Sequence, residues 1–116
     1  MNHGADRQFF ARLASLNDSF ASKLPSTLER LMALGDGLDP RTPERAADEL
    51  QAMLHTVAGS AATFGYRGLG HHARALEQRL RVLMTFEAVA ASDWAMWVAE
   101  LNQFVDVARR DARGMT

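Results

Sequence analysis

Residues 50–83 read LQAMLHTVAGSAATFGYRGLGHHARALEQRLRVL, and this stretch decides the fold of the chain. On either side of Gly65 and Gly68, apolar residues recur at intervals of three and four, which is the spacing of one face of an α-helix. The glycines interrupt this pattern for only a few residues. The sequence therefore predicts two helices that are joined by a tight turn and pack as an antiparallel hairpin. Their apolar residues are Leu50, Leu54, Val57, Ala61 and Phe64, and then Leu69, Ala73, Leu76, Leu80 and Leu83.

Two further helical patterns flank the hairpin. Upstream, an apolar stripe runs from Phe9 to Leu31 and contains Pro25, so this segment could be one bent helix or two, the first of them a short extra helix at the N-terminus. The sequence TPE at residues 42–44 has the order of an N-cap, a proline in the first turn and an acid, which predicts that the first hairpin helix begins there. Downstream, Ser92 is a candidate cap for a last helix.

The length and the apolar pattern together predict the fold class. No segment alternates apolar and polar residues as a strand does, and 116 residues suit one domain. We predict a single all-α domain over residues 1–116, an antiparallel four-helix bundle with room for the short extra N-terminal helix. A chain of this size does not accommodate a nucleotide-binding domain beside a second domain.

Charge and cysteine content exclude several classes of function. The chain carries 13 Lys and Arg against 14 Asp and Glu, so no basic surface for nucleic acid is expected. It has no cysteine, which excludes a disulfide framework, a zinc ribbon and thiol catalysis and is compatible with a reducing compartment. No stretch approaches the roughly 18 consecutive apolar residues of a membrane span. We expect a cytoplasmic monomer that binds neither nucleic acid nor membranes.

His55 lies on the side of its helix that faces away from the apolar stripe. At about 100° per residue, its direction is roughly 140° from the centre of the stripe, so we expect the imidazole to face water. The neighbours on that side are small, and a glycine within a helix costs on the order of 1 kcal/mol relative to alanine. These neighbours are Ala52, Ala58, Gly59 and Ala62. They indicate either close packing by the facing helix or a surface kept bare around His55.

The tight turn also sets which residues of the two helices face each other. In that register His55 lies opposite Glu77, and Gly59 lies opposite Arg74. A carboxylate beside an exposed imidazole can accept the Nδ1 proton and leave the Nε2 lone pair as an outward nucleophile. Glu77 could equally form an ordinary helix ion pair with Arg74 or Arg81, and the two roles can coexist.

The run from His55 to Glu77 resembles the signature of histidine-containing phosphotransfer (HPt) domains. In that family a histidine is followed by an apolar residue two positions on, usually a lysine three on and a glycine four on. Small residues, an apolar residue and a second glycine come next, and then leucines and an acidic or amide residue. The matching residues are His55, Val57, Gly59, Phe64, Gly65, Leu69, Leu76 and Glu77.

The resemblance implies a phosphorelay intermediate and not an enzyme. His55 would accept a phosphoryl group on Nε2 from the aspartyl phosphate of one receiver domain and donate it to another, while Glu77 orients the imidazole. The two receivers would be those of a hybrid sensor kinase and of a response regulator, and transfer could run in either direction. The receivers would supply Mg²⁺ and catalysis, so neither a cofactor nor a metal is expected in this chain. The expected docking surface comprises Gln51, Ala52, Ala58, Gly59 and Ala62, with Glu44 and Asp48 contributing to specificity.

The chain departs from the family pattern at Ala58, where a lysine that balances the phosphate is usual. Arg74, opposite Gly59 in the predicted hairpin, is the candidate replacement for this cation. Arg67 and Arg81 are weaker candidates. Without a replacement, we expect the domain to bind a receiver yet relay slowly. The alternative function is that of a helical adaptor, which holds a receiver or another signalling protein through the same surface without being phosphorylated.

Two other histidine-based sites fit the sequence less well. His71 and His72 are adjacent, so their directions diverge by about 100° and they do not predict a metal site. The dimerisation hairpin of a histidine kinase also exposes a phosphoacceptor histidine, but it usually has an acid directly after the histidine and a proline one turn later. Here Thr56 follows His55, and no proline follows Pro43.

Overall fold

The computed structural model describes residues 3–116, which form four α-helices and no strand. The helices are α1 (His3–Asp36), α2 (Glu44–Phe64), α3 (Arg67–Met84) and α4 (Ala91–Asp111). Consecutive helices run antiparallel, and each packs on two neighbours, since α1 and α3 both contact α2 and α4. The predicted all-α four-helix bundle is confirmed. Within residues 3–116, no helix has both the length and the apolar composition that crossing a membrane requires.

The core of the bundle is built from the apolar faces that the sequence pattern predicts. The largest side chains that are completely buried are Leu28, Leu31, Leu50, Leu54, Leu69, Leu80, Leu101 and Val105. Trp97 joins α4 to α3, because its Nε1 donates a buried hydrogen bond of 3.0 Å to the carbonyl of Leu76. Gly35 allows α1 to approach α4, since a Cβ at this position would lie 2.8 Å from Cδ2 of Leu101.

Helix α1 is continuous, so the short extra helix that the sequence allows at the N-terminus does not occur in the described residues. Pro25 lies inside α1 and is exposed. It removes one backbone donor from the helix. However, Leu24 and Leu28 on either side of it are buried in the core, and this packing keeps both flanking turns helical. The helix therefore passes through the predicted break.

The N-terminal part of α1 extends past the end of α2. Phe20 reaches the bundle, where its ring centroid lies 5.7 Å from that of Phe64 and 5.1 Å from that of Tyr66. Phe9 and Leu16 belong to the same predicted stripe but are 61% and 53% exposed. The apolar stripe of α1 thus enters the core only where α2 lies beside it.

Helix α2 begins where the sequence predicts, but neither α2 nor α4 has the side-chain cap that the sequence suggests. Helix α2 begins at Glu44, and the preceding Pro43 is already helical, with φ −79° and ψ −16° and no side-chain hydrogen bond that caps this end. Ser92 lies inside the first turn of α4 and does not cap it. The carbonyl of Ala90 instead accepts a hydrogen bond of 3.0 Å from the backbone N–H of Asp93. In both helices the first turn is formed by backbone hydrogen bonds, without one from a capping side chain.

The hairpin of α2 and α3 positions the residues around His55. Gly65 ends α2 with φ 83°, a left-handed conformation that glycine adopts without strain. The carbonyl of Ala61 then accepts the N–H of Tyr66 at 2.9 Å. Gly70 brings α3 close to α2, because a Cβ on Gly70 would lie 3.3 Å from the Cβ of Ala61. These contacts hold the two helices in one register.

Candidate functional site

His55 and Glu77 face each other across the hairpin, as the register predicts. The Nδ1 atom of His55 lies 3.0 Å from Oε1 of Glu77. The His55 side chain is 72% exposed, whereas the Glu77 side chain is only 7% exposed. In the tautomer with the proton on Nδ1, the ring donates this hydrogen bond to the carboxylate and leaves the lone pair of Nε2 unprotonated. The site therefore presents an oriented imidazole nucleophile to solvent.

Glu77 is the only buried charged residue in the described part of the chain. Burying a carboxylate is costly unless other groups bond to it. Its Oε1 has two neighbours, Nδ1 of His55 at 3.0 Å and Nη2 of Arg81 at 3.5 Å. The two roles considered for Glu77, a partner for the imidazole and a partner for an arginine on its own helix, therefore coexist on one oxygen atom.

Gly59 is exposed, and no atom of a neighbouring helix lies within 4 Å of the position that a Cβ would occupy there. Close packing of α3 therefore does not explain this glycine. The close approach of the two helices occurs at Ala61 and Gly70 instead. What Gly59 contributes is the absence of a side chain on the outer surface of α2, one helical turn from His55.

The expected docking surface is only partly exposed. Ala52 and Ala62 are exposed beside Gly59, and Gln51 is half-buried. The expectation that Ala58 belongs to this surface is wrong, because Ala58 is only 3% exposed. Ala58 follows the core residue Leu54 by one helical turn and packs against α3, with its carbonyl 3.4 Å from the position of a Cβ on Gly70. The residue at the family's lysine position is thus a core residue here. Glu44 and Asp48 are both exposed on α2.

Arg74 lies on α3, one helical turn before Glu77, and is exposed. Within residues 3–116, its guanidinium forms no hydrogen bond and no ion pair. The side chain is therefore not tied to a carboxylate of its own chain. Arg67, the first residue of α3, is also exposed.

Gln51 and Arg81 form a contact that was not predicted from the sequence. When the amide oxygen of Gln51 faces α3, it accepts hydrogen bonds from Nε of Arg81 at 2.9 Å and from Nη2 at 3.3 Å. The sequence does contain a signal for this pair. Gln51 precedes His55 by four residues, and Arg81 follows Glu77 by four. The antiparallel register that pairs His55 with Glu77 therefore also pairs Gln51 with Arg81.

An apolar groove opens beside the His55 surface, between α1 and α2. It has a volume of about 630 Å³ and reaches Ala52 and Thr56. Its apolar walls comprise Leu16, Phe20, Leu24, Met53, Val57 and Phe64. The exposed face of α2 therefore continues from His55 into a concave apolar surface.

His71 and His72 lie on the exposed side of α3, with ring centroids 5.5 Å apart. In the described residues, no group of three His, Asp or Glu side chains is arranged to hold a metal ion. Among the described residues, the two histidines are therefore not part of a group of side chains that could bind a metal ion.

Comparison with known families agrees with this geometry. The model of the Hpt domain family matches residues 15–111, which include all of α2, α3 and α4. The chain therefore belongs to the Hpt domain family, whose members are helical bundles that take part in histidine phosphotransfer in two-component signalling. No curated protein and no solved structure gives a significant match to the chain.

Proposed function

We propose that this protein relays a phosphoryl group between two receiver domains, with His55 as the phosphoacceptor. The observation that best supports the proposal is the exposed imidazole of His55, whose Nδ1 lies 3.0 Å from the buried carboxylate of Glu77. The donor is an aspartyl phosphate on the receiver of a hybrid sensor kinase, and the acceptor is an aspartate on the receiver of a response regulator. The relay operates in the cytoplasm, with this protein acting as a monomer.

The chemistry requires one nucleophile and one orienting group from this chain. The Nε2 lone pair of His55 attacks the phosphorus, the P–O bond to the donor aspartate breaks, and the aspartate leaves as a carboxylate. The ring keeps its proton on Nδ1 and gains positive charge, which the Glu77 carboxylate offsets. The receivers hold Mg²⁺ and supply the catalysis, so this chain acts as a substrate of its partners and needs no cofactor.

The small residues around His55 leave room for the partner. An aspartate in a receiver pocket must come into line with the N–P bond, and bulky side chains next to the imidazole would obstruct that approach. Ala52, Gly59 and Ala62 are exposed and add little bulk at this surface. The carboxylates of Glu44 and Asp48, exposed further along α2, contribute to the choice of receiver.

Arg74 supplies the cation that balances the phosphoryl group. The usual lysine position is occupied by Ala58, which is buried. Arg74 is exposed on the neighbouring helix, and no ion pair within the described residues has to break before it turns toward the phosphate. A free guanidinium suits this role because its planar fork binds two phosphate oxygens at once.

Labelling from a phosphorylated receiver tests the proposal. The wild-type protein should acquire an acid-labile, base-stable phosphoryl group, and His55→Gln should acquire none. His71→Gln and His72→Gln are matched controls, since both histidines are exposed on α3, and they should be labelled like the wild type.

The alternative function is that of an adaptor that binds a receiver through the same surface without being phosphorylated. It is favoured by one observation, the alanine at position 58. A wild-type protein that binds receivers but stays unlabelled by every phosphorylated receiver of its cell would establish the adaptor and refute the relay.

A further inference from the structure

A second polar pair lies one helical turn from His55 and Glu77, on the side away from the hairpin turn. Gln51 and Arg81 form this pair across the two helices: with the Gln51 amide assigned so that its oxygen, and not its nitrogen, faces the guanidinium donors, that oxygen lies 2.9 Å from Nε and 3.3 Å from Nη2 of Arg81. Gln51 is half-buried, whereas the Arg81 side chain is 60% exposed. The two bonds to one oxygen orient the edge of the planar guanidinium, so Arg81 is held by α2 as well as by its own helix.

Arg81 also reaches the carboxylate that bonds to His55. Its Nη2 lies 3.5 Å from Oε1 of Glu77, and the same Oε1 lies 3.0 Å from Nδ1 of His55. The contacts thus form a continuous chain from the half-buried amide of Gln51 to the exposed imidazole. Because Glu77 is buried, the groups beside Oε1 determine how its carboxylate is oriented.

This arrangement differs from an ordinary surface ion pair. Arg30–Glu49 and Arg79–Glu100 each join two helices by a direct contact, of 2.7 Å and 2.5 Å. Arg81 instead makes its short contact to a neutral amide and stays 3.5 Å from the carboxylate. The guanidinium is therefore fixed near Glu77 without taking over the oxygen atom that accepts from His55.

We infer that Arg81, held by Gln51, is a positioning residue for phosphotransfer: it keeps the Glu77 carboxylate in the orientation that accepts the Nδ1 proton of His55. The expected effect on the rate of phosphoryl transfer rests on the proposed function. When the Glu77 carboxylate accepts a hydrogen bond from the Nδ1–H group of His55, the proton stays on Nδ1 and Nε2 keeps its lone pair. The attack on phosphorus requires that lone pair. Gln51 affects the tautomer of His55 only through Arg81.

The first test measures the tautomer of His55 without any receiver. Ring ¹⁵N chemical shifts of the unphosphorylated protein distinguish a proton on Nδ1 from one on Nε2. In Arg81→Met, which keeps the apolar stem, we expect the Nδ1-protonated fraction to fall, and Gln51→Leu should lower it in the same way. Arg79→Met is the matched control, because Arg79 lies on the same helix but pairs with Glu100 of α4. It should leave the spectrum of His55 unchanged.

The second test measures transfer from a phosphorylated receiver, with the receiver Kd determined separately. The transfer rate constant of Arg81→Met should fall about fivefold, the effect of one hydrogen bond of ordinary strength, at an unchanged Kd. Because Gln51 acts through Arg81, the double variant should be no slower than the slower single variant. Gln51→Glu keeps an acceptor oxygen for Arg81 and should restore the Nδ1-protonated tautomer that Gln51→Leu loses.

Two results contradict the inference. One is an unchanged His55 tautomer in both Arg81→Met and Gln51→Leu, and the other is an equal change in Arg79→Met, which would indicate a general effect on the fold. If Arg81→Met does not fold, as judged by its far-UV circular dichroism, Gln51→Leu alone carries the test. A wild-type protein that no receiver labels refutes the proposed function, but the tautomer measurement still decides the role of Arg81.

Discussion

The two helical turns on either side of His55 and Glu77 are built differently. On the side away from the hairpin turn, α2 carries Gln51, whose amide, assigned with its oxygen toward α3, accepts a hydrogen bond of 2.9 Å from Nε of Arg81. On the side toward the turn, α2 carries Gly59, which has no side chain, and Arg74 on α3 has no hydrogen bond or ion pair in the described residues. One arginine is fixed and the other is free, and the residue on α2 accounts for the difference.

In the proposed relay, this asymmetry suits two different roles for Arg81 and Arg74. A cation that orients the Glu77 carboxylate has to stay in place, and the bonds between Arg81 and Gln51 hold it there. A cation that meets an incoming phosphoryl group has to move, and an ion pair of its own would oppose that movement. Arg74 meets this second requirement because none of the described carboxylates binds it.

The largest effect is expected from removing the group that lies between the two turns. In Glu77→Leu the Nδ1 proton of His55 loses its acceptor, so the transfer rate from a phosphorylated receiver should fall by up to about a hundredfold, because a hydrogen bond to a charged group contributes roughly 1.5–3 kcal/mol. Glu77→Gln is the matched control, since its amide oxygen still accepts the proton and the rate should stay within a fewfold of wild type. Equal rates for the leucine variant and the wild type would show that Glu77 has no part in the transfer.

A glutamine at position 59 would make the two turns alike. Gly59→Gln adds a side chain where no atom of a neighbouring helix lies within 4 Å, so the helix should be stabilised by up to about 1 kcal/mol through the higher helix propensity of glutamine. The same side chain obstructs the receiver, and the Kd for a receiver should rise about tenfold, or roughly 1.4 kcal/mol. Chemical denaturation and binding titrations measure the two effects separately.

Gly59→Ala is the control for that experiment. It should give a similar gain in stability with little change in the Kd, because a methyl group adds little bulk beside His55. A glutamine variant that is more stable and also binds receivers as tightly as the wild type would remove the argument that this glycine provides clearance.

The smallest effect is expected at the free arginine. Arg74→Ala should slow phosphoryl transfer to His55 by about threefold to fivefold and shorten the lifetime of the phosphohistidine, since an exposed charge interaction contributes at most about 1 kcal/mol. Arg79→Ala, on the same helix but paired with Glu100 of α4, should change neither quantity. The rate is measured by rapid quenching and the lifetime by loss of label, and if both are unchanged in Arg74→Ala, another group must balance the phosphate.

The sequence pattern predicted much of the site but not its details. The contact of His55 with Glu77 follows from two helical stripes and a short turn, because an antiparallel hairpin allows only one register around Gly65. Ala58 was placed on the wrong side because its direction is close to the border between the core and the surface, where a small rotation of α2 decides burial. Residues near that border depend on how closely the facing helix approaches, which Gly70 and Ala61 determine.

By itself, the sequence determined the four helices, the faces that form the core and the exposed histidine beside its carboxylate, because helical periodicity and one tight turn set these locally. The tertiary structure alone decided that α1 passes through Pro25, since this depends on the burial of Leu24 and Leu28 in the core. It also decided that the apolar stripe of α1 enters the core only from Phe20 onward, where α2 lies beside it. The tertiary structure also decided which arginine is fixed. A hydrogen bond between two helices requires side chains that reach each other, and Gln51 reaches Arg81, whereas Gly59 has no side chain to reach Arg74.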